Sequence, residues 1–198
     1  MRITIWSSKG GVGKSSLGLL LHERLEKISK KDWGVITNDI YTDLSKLPKN
    51  KVLKITTDKD IPIVDDNIIY DMGGYVSDKL YNVIKNSDLV IIPTIPSVMC
   101  LNSHIPSVRE VEKINKNIIQ VISKTKNNFD EIKDFLISKG LDYPVFELRH
   151  SLLVSNLFDV SKNIEEQLKD LKVMNPYTKK VLQQIDDIAN AILKRSKK

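Results

Sequence analysis

The sequence is short of the residues on which cross-linked, metal-clustered and membrane-spanning proteins depend. Cys100 is the only cysteine among 198 residues. No intrachain disulfide can form, and neither a cysteine-rich zinc site nor a thiolate-held cluster can be assembled within one chain. That poverty fits a reducing compartment. The apolar run at Met1–Trp6 is far too short for a secretory leader before Ser7 and Lys9 interrupt it. No uncharged apolar stretch approaches the roughly 20 residues that span a bilayer. His22, His104 and His150 are scattered without metal-ligand spacing, so packing or surface roles are expected of them. Repeats, low-complexity tracts and interdomain linkers are also missing, and residues 1–198 read as one soluble cytoplasmic domain.

What is present is ordinary in bulk, with 41% hydrophobic and 28% charged residues. The net charge of +6 favours an acidic partner, either a nucleic-acid backbone or anionic lipid. Many of the lysines fall singly on solvated helix faces, where surface charge has no further role. Ile- and Val-rich runs alternate with segments of helical period along the whole chain. Strands are expected near Ile3–Trp6, Gly34–Thr37, Val52–Ile55, Ile68–Asp71, Leu89–Pro93, Ile118–Ser123 and Val145–Leu148. Helices are expected near Ser15–Ile28, Ser77–Lys85, Ile105–Lys116, Asn128–Ser138, Ser161–Leu171 and Tyr177–Arg195. Near-continuous apolar strands between helices predict a three-layer α/β/α domain with a mainly parallel sheet. In the last helix Val181, Ile185, Ile188 and Ile192 recur at spacings of four, three and four, a face that should be buried.

The decisive segment is Ser8-Lys9-Gly10-Gly11-Val12-Gly13-Lys14-Ser15-Ser16, between the first strand and the first long helix. A triphosphate is densely negative. Glycines at 10, 11 and 13 let the backbone, Val12 included, curl so that its amides point at phosphate oxygens, and the helix that follows adds its positive end. Lys14 is placed to reach the β- and γ-phosphates, Ser15 to ligate Mg²⁺ and Ser16 to contact the α-phosphate. ATP and magnesium are therefore the expected ligands of a P-loop NTPase fold.

This loop resembles the deviant Walker A sequence of the ParA/MinD ATPases, whose mark is an additional lysine near the loop's start; Lys9 fills that place. The resemblance implies an ATP-dependent homodimer in which Lys9 reaches phosphates bound by the partner. Asp71, ending the run Asn67–Tyr70 and followed by Met72-Gly73-Gly74, resembles the family's Walker B and switch II. It implies that Asp71 holds a magnesium-bound water and that the Gly74 amide senses the γ-phosphate. Asp39 matches the second aspartate of switch I and would orient the hydrolytic water. Thr37 stands where the family has its first aspartate, and Ile40-Tyr41 replaces its common Pro-Gln. The family's asparagine at the end of the sixth strand is absent.

The tail Lys194-Arg195-Ser196-Lys197-Lys198 places four cations in five residues. With Lys172, Lys179 and Lys180 it would grip DNA phosphates without reading bases. The resemblance then implies a ParA-like switch in plasmid or chromosome partition, holding non-specific DNA in its ATP state, associated with the nucleoid, turning over slowly and stimulated by a small centromere-binding partner. Two alternatives share the loop. One is a MinD-like membrane-associated positioning ATPase, disfavoured because the tail lacks the large aromatics of an interfacial anchor; the other is a dethiobiotin-synthetase-like metabolic enzyme.

Overall fold

The structure, a computed structural model, describes residues 1–39, 43–56, 59–155, 157, 166–167 and 176–195. Its strands are β1 (Arg2–Ile5), β2 (Gly34–Thr37), β3 (Val52–Lys54), β4 (Ile68–Asp71), β5 (Leu89–Thr94), β6 (Ile118–Thr125) and β7 (Val145–Arg149). They form one seven-stranded sheet in the order β3-β2-β4-β1-β5-β6-β7, and every pairing is parallel. The helices are α1 (Lys14–Ser29), α2 (Asp78–Lys85), α3 (Val98–Glu112), α4 (Phe129–Ser138), the short α5 (Leu152–Ser155) and α6 (Pro176–Arg195).

Side chains alternate across a strand, and this sequence fills both sides. Ile3, Ile5, Ile69, Ile91 and Val121 join α1 and α6 in one core. Trp6, Tyr70, Val90, Ile92 and Ile122 join α2, α3 and α4 in the other. Burial on both faces is why the inner strands read as continuous apolar runs and not as alternating ones, whereas the edge strand β3 leaves Leu53 exposed. The predicted face of α6 is committed to the first core, with Val181, Ile185, Ile188 and Ile192 at 0% exposure. A bidentate ion pair fixes the helix to α1, Arg24 Nε and Nη2 donating to Asp186 Oδ1 and Oδ2 at 2.6 and 2.8 Å.

The third helix differs from the expectation of Ile105–Lys116: it starts at Val98 and ends at Glu112. Ser97 caps it, its hydroxyl accepting from the Cys100 amide at 3.3 Å. Pro106 sits in the interior and removes the donor that the Asn102 carbonyl would otherwise receive. The Ser97 cap and a face buried at Cys100 and His104 start the helix about two turns before the expected Ile105. The helix expected at Ser161–Leu171 lies, except for residues 166–167, outside the described residues, as does Lys172.

One polar link crosses the second core. Gln120 Nε2 donates to the carbonyls of Leu141 and Tyr143 at 3.2 and 3.3 Å. Its Oε1 therefore accepts from His104 Nε2, 2.9 Å away. Burial pushes the His104 pKa from 6.5 down to about 4. The unfolded chain takes up this proton below about pH 6.5 and the folded chain only near 4, so the stability present above 6.5 is lost as pH falls toward 4. The lost stability amounts to about 3 kcal/mol. Denaturant titrations at pH 7 and pH 4 should show this loss in the wild type, and His104→Gln should remove most of it.

Candidate active site

β1 lies at the centre of the sheet, and the connections diverge around it: α1 covers one face after β1, and α2 covers the other after β4. Such a switch point opens a crevice beyond the strands' C-terminal ends. Residues 7–13 cross that crevice. Val12, 1% exposed, plugs the loop into the protein. Gly11 and Gly13 take φ of 76° and 91°, values that side chains with a Cβ rarely adopt. α1 then begins at Lys14, and Leu17 N donates to Gly13 O at 2.9 Å. Gly13 offers no side-chain cap and the first turn holds no acid, so nothing in that turn opposes the positive end of a 16-residue helix. A Cβ on Gly10, Gly11 or Gly13 would meet no atom within 4 Å. The outer side of the loop is therefore open to a group that lies against bare backbone, as phosphate does.

The register brings the charged candidates to one level. Asp71 pairs with Ile5 of β1 on one side and Thr37 of β2 on the other. Lys14 Nζ donates to the Lys9 carbonyl at 3.1 Å. Burial holds the Lys14 pKa below its ordinary value, opposed by the charges of Asp71 and Asp39. Asp71 is 2% exposed. Burial raises its pKa, while a hydrogen bond from Ser15, the charge of Lys14 and a bond from Thr37 oppose that rise. Thr37 Oγ1 donates to Asp71 Oδ2 over a long 3.5 Å and accepts from the Asp39 amide at 3.1 Å. The Thr37 hydroxyl thus joins Asp71 and the backbone of Asp39 without adding a third negative charge. Ile40 and Tyr41 lie outside the described residues.

Contacts not anticipated from sequence hold the loop after β4. Asn38 is 8% exposed; its Oδ1 accepts from the Gly73 amide at 2.6 Å and its Nδ2 donates to the Tyr75 hydroxyl at 3.2 Å. Gly74 lies so close to the phosphate loop that a Cβ would stand 2.8 Å from the Ser8 carbonyl oxygen. Ser8 in turn bonds Ser107 of α3. The signals were a polar residue just after β2 and a serine on the buried side of α3. Neither position carries a motif.

A cavity of about 200 Å³ lies beside Gly13, Ser16 and Leu17, walled by Leu148 and Val154. Ser123 Oγ lines it, buried and without a hydrogen-bond partner among the described residues. The basic candidates are spread out. Lys179 and Lys180 are exposed at the start of α6, where the Tyr177 hydroxyl donates to the His150 carbonyl beyond β7. Lys194 and Arg195 end the helix beside Met1, Asp88 and Asn117, at the opposite end of the strands, where β1, β5 and β6 begin. At ~1.5 Å per residue the two pairs stand roughly 20 Å apart, so α6 does not bring them into one patch.

No protein-family model matches the chain, and no curated protein matches it in sequence. Solved structures do match it. MinD cell division protein from Aquifex aeolicus is similar with a TM-score of 0.64 at 18% identity, over 97% of this chain and 96% of that one. A ParA family ATPase from Chlorobium tepidum TLS is similar with a TM-score of 0.64 at 16% identity, over 95% of this chain and 98% of that one. A plasmid partition protein from Borrelia burgdorferi B31, bound to AMPPNP, gives 0.57 at 21% identity, over 86% of this chain and 96% of that one. With an all-parallel sheet and a glycine loop leaving its central strand, the chain has the α/β P-loop fold of the ParA- and MinD-type ATPases.

Proposed function

We propose that the chain is a ParA-like, magnesium-dependent ATPase, a single P-loop domain over residues 1–198 that dimerises with ATP and acts in plasmid or chromosome partition. The observation that carries this reading is the setting of Lys14, half-buried in the field of Asp71 and Asp39 and bonded to the Lys9 carbonyl at an uncapped helix end. Phosphate oxygens compete for that ammonium and for the loop amides of residues 10–16. The Ser123 cavity adjoins Ser16 and offers the base a mixed lining, Leu148 and Val154 beside the buried Ser123 and Ser151. Among the described residues no three His, Cys, Asp or Glu side chains gather as a metal site. The hydrogen-bonded pair Ser15 and Asp71 suits Mg²⁺ all the same, since that ion usually takes one or two carboxylates and completes its shell with phosphate and water. Bound there, magnesium neutralises charge on the transferred phosphoryl group.

In this reading Asp39 orients the attacking water, the Gly74 amide senses the γ-phosphate, and Lys9 serves the partner's nucleotide. So few stabilising groups make turnover slow and leave room for stimulation by a small centromere-binding protein. Non-specific DNA is held by separate basic clusters, Lys179 with Lys180 and Lys194 with Arg195, and nucleoid association follows. The membrane alternative draws no support from α6, because Ile188 and Ile192 are spent in the core. Among the described residues no helix is long and apolar enough to cross a membrane.

Sedimentation of the wild type and Lys9→Ala, with ATP or ADP, tests the switch. The wild type should dimerise with ATP alone and carry DNA in that state, losing it steeply as salt rises. Lys9→Ala should hydrolyse ATP at least about 100-fold more slowly. A monomer indifferent to nucleotide and DNA would overturn the partition reading.

A further inference from the structure

The link between the phosphate loop and α3 lies outside the roles assigned above. Ser107 is 2% exposed, and its hydroxyl is fully employed. It donates to the Ser103 carbonyl at 2.8 Å. Its one proton is thereby used, so it accepts from Ser8 Oγ at 2.7 Å and from the Ser8 amide at 3.4 Å. Ser8 is exposed and immediately precedes Lys9. Gly74 closes on Ser8 from the loop after β4, 2.8 Å separating the Ser8 oxygen from the place of a Cβ on Gly74. The residue before the outer lysine is thus gripped by two elements at once.

This grip does not serve phosphate binding directly. The loop amides and the start of α1 make that site, and their shape is set by Gly11, Gly13 and the buried Val12. Nor does it serve the helix, in which alanine is the better former. What the grip fixes is the point from which the Lys9 side chain leaves the loop. We propose that Ser107 is a positioning residue for Lys9, setting the rate of phosphoryl transfer and not the affinity for nucleotide. The proposal rests on the ATPase reading given above. An interaction realised only as charge develops appears in kcat, whereas one present throughout appears in KM.

The test compares the full-length wild type with Ser107→Ala, Ser8→Ala and the double variant. ATP affinity is read by calorimetry, turnover at steady state, stability by thermal melting, and loop order by amide hydrogen exchange over residues 7–16. Each single variant should lose about 5- to 10-fold in kcat, the worth of one buried hydrogen bond, with Kd for ATP and the melting midpoint near the wild-type values. The double variant should be no slower than either single one. Exchange at residues 8–10 should quicken by a similar factor. Ser8→Ala removes the bond from an exposed position, so a folding defect in Ser107→Ala would not decide the matter alone. Wild-type turnover in both single variants, losses confined to KM and Kd, or losses that multiply in the double variant would each overturn the proposal. A wild-type chain that does not hydrolyse ATP sinks the ATPase reading and this proposal together, whereas an active wild type matched by both single variants sinks this one alone.

Discussion

Lys14→Ala should abolish magnesium-dependent ATP uptake in calorimetry and slow hydrolysis by at least about 1000-fold. Lys14 is the cation that Asp71 and Asp39 both feel. Without it, a polyphosphate entering the loop would face two carboxylates with no opposing charge between them, one of them on a residue only 2% exposed. Losing the attraction and uncovering the repulsion act in the same direction. The fold should survive, because burial already disfavours the charged lysine, and removing it relieves that cost. Thermal melting close to the wild type, together with lost ATP binding, is the expected pair of results; undiminished uptake would refute the site.

Gly74→Ala should cost about 100-fold in hydrolysis. The new methyl carbon would stand 2.8 Å from the Ser8 carbonyl oxygen and 3.4 Å from that of Ser7. Both neighbours are backbone, so relief requires moving either the phosphate loop or the segment after β4. The neighbouring Gly73→Ala provides the comparison. Its Cβ would lie 3.3 Å from Asn38 Oδ1, a side-chain atom that can turn aside at the expense of the bonds to Gly73 and Tyr75. Gly73→Ala should therefore lose only about 10-fold. Steady-state rates for the two variants check the order, and equal losses would remove the special role of Gly74.

Much of this architecture was legible because it depends on pattern. The runs of Ile and Val in the inner strands are continuous because those strands are buried on both faces, and all seven expected runs became strands. The phosphate loop was legible because backbone curvature demands glycine at fixed spacing, as the positive φ of Gly11 and Gly13 bears out. α6 announced its buried face through Val181, Ile185, Ile188 and Ile192. The start of α3 was obscured because a serine cap is a weaker signal than two prolines, Pro96 before it and Pro106 within it. Asn38 and Ser107 were illegible for a different reason. Their partners, Gly73 and Ser8, lie 35 and 99 positions away, and a single polar residue carries no record of what the topology brings against it. Ser123 stood at a position where the resemblance offered a different residue, and its orphaned hydroxyl became visible only beside the cavity.

The strand order has a consequence for biogenesis. β1 leaves the ribosome well before both its neighbours, β4 and β5, and the Arg2 amide meets the Asp88 carboxylate across 86 positions. The clasp of Arg24 on Asp186 spans 162. Synthesis therefore produces the phosphate loop long before anything can hold it, and the nascent chain carries an unpaired central strand until β4 and β5 have followed. Contacts this distant make folding slow and expose sticky edges on the way. The loop that should bind nucleotide is made before α3 and the segment after β4, the two elements that close on its Ser8.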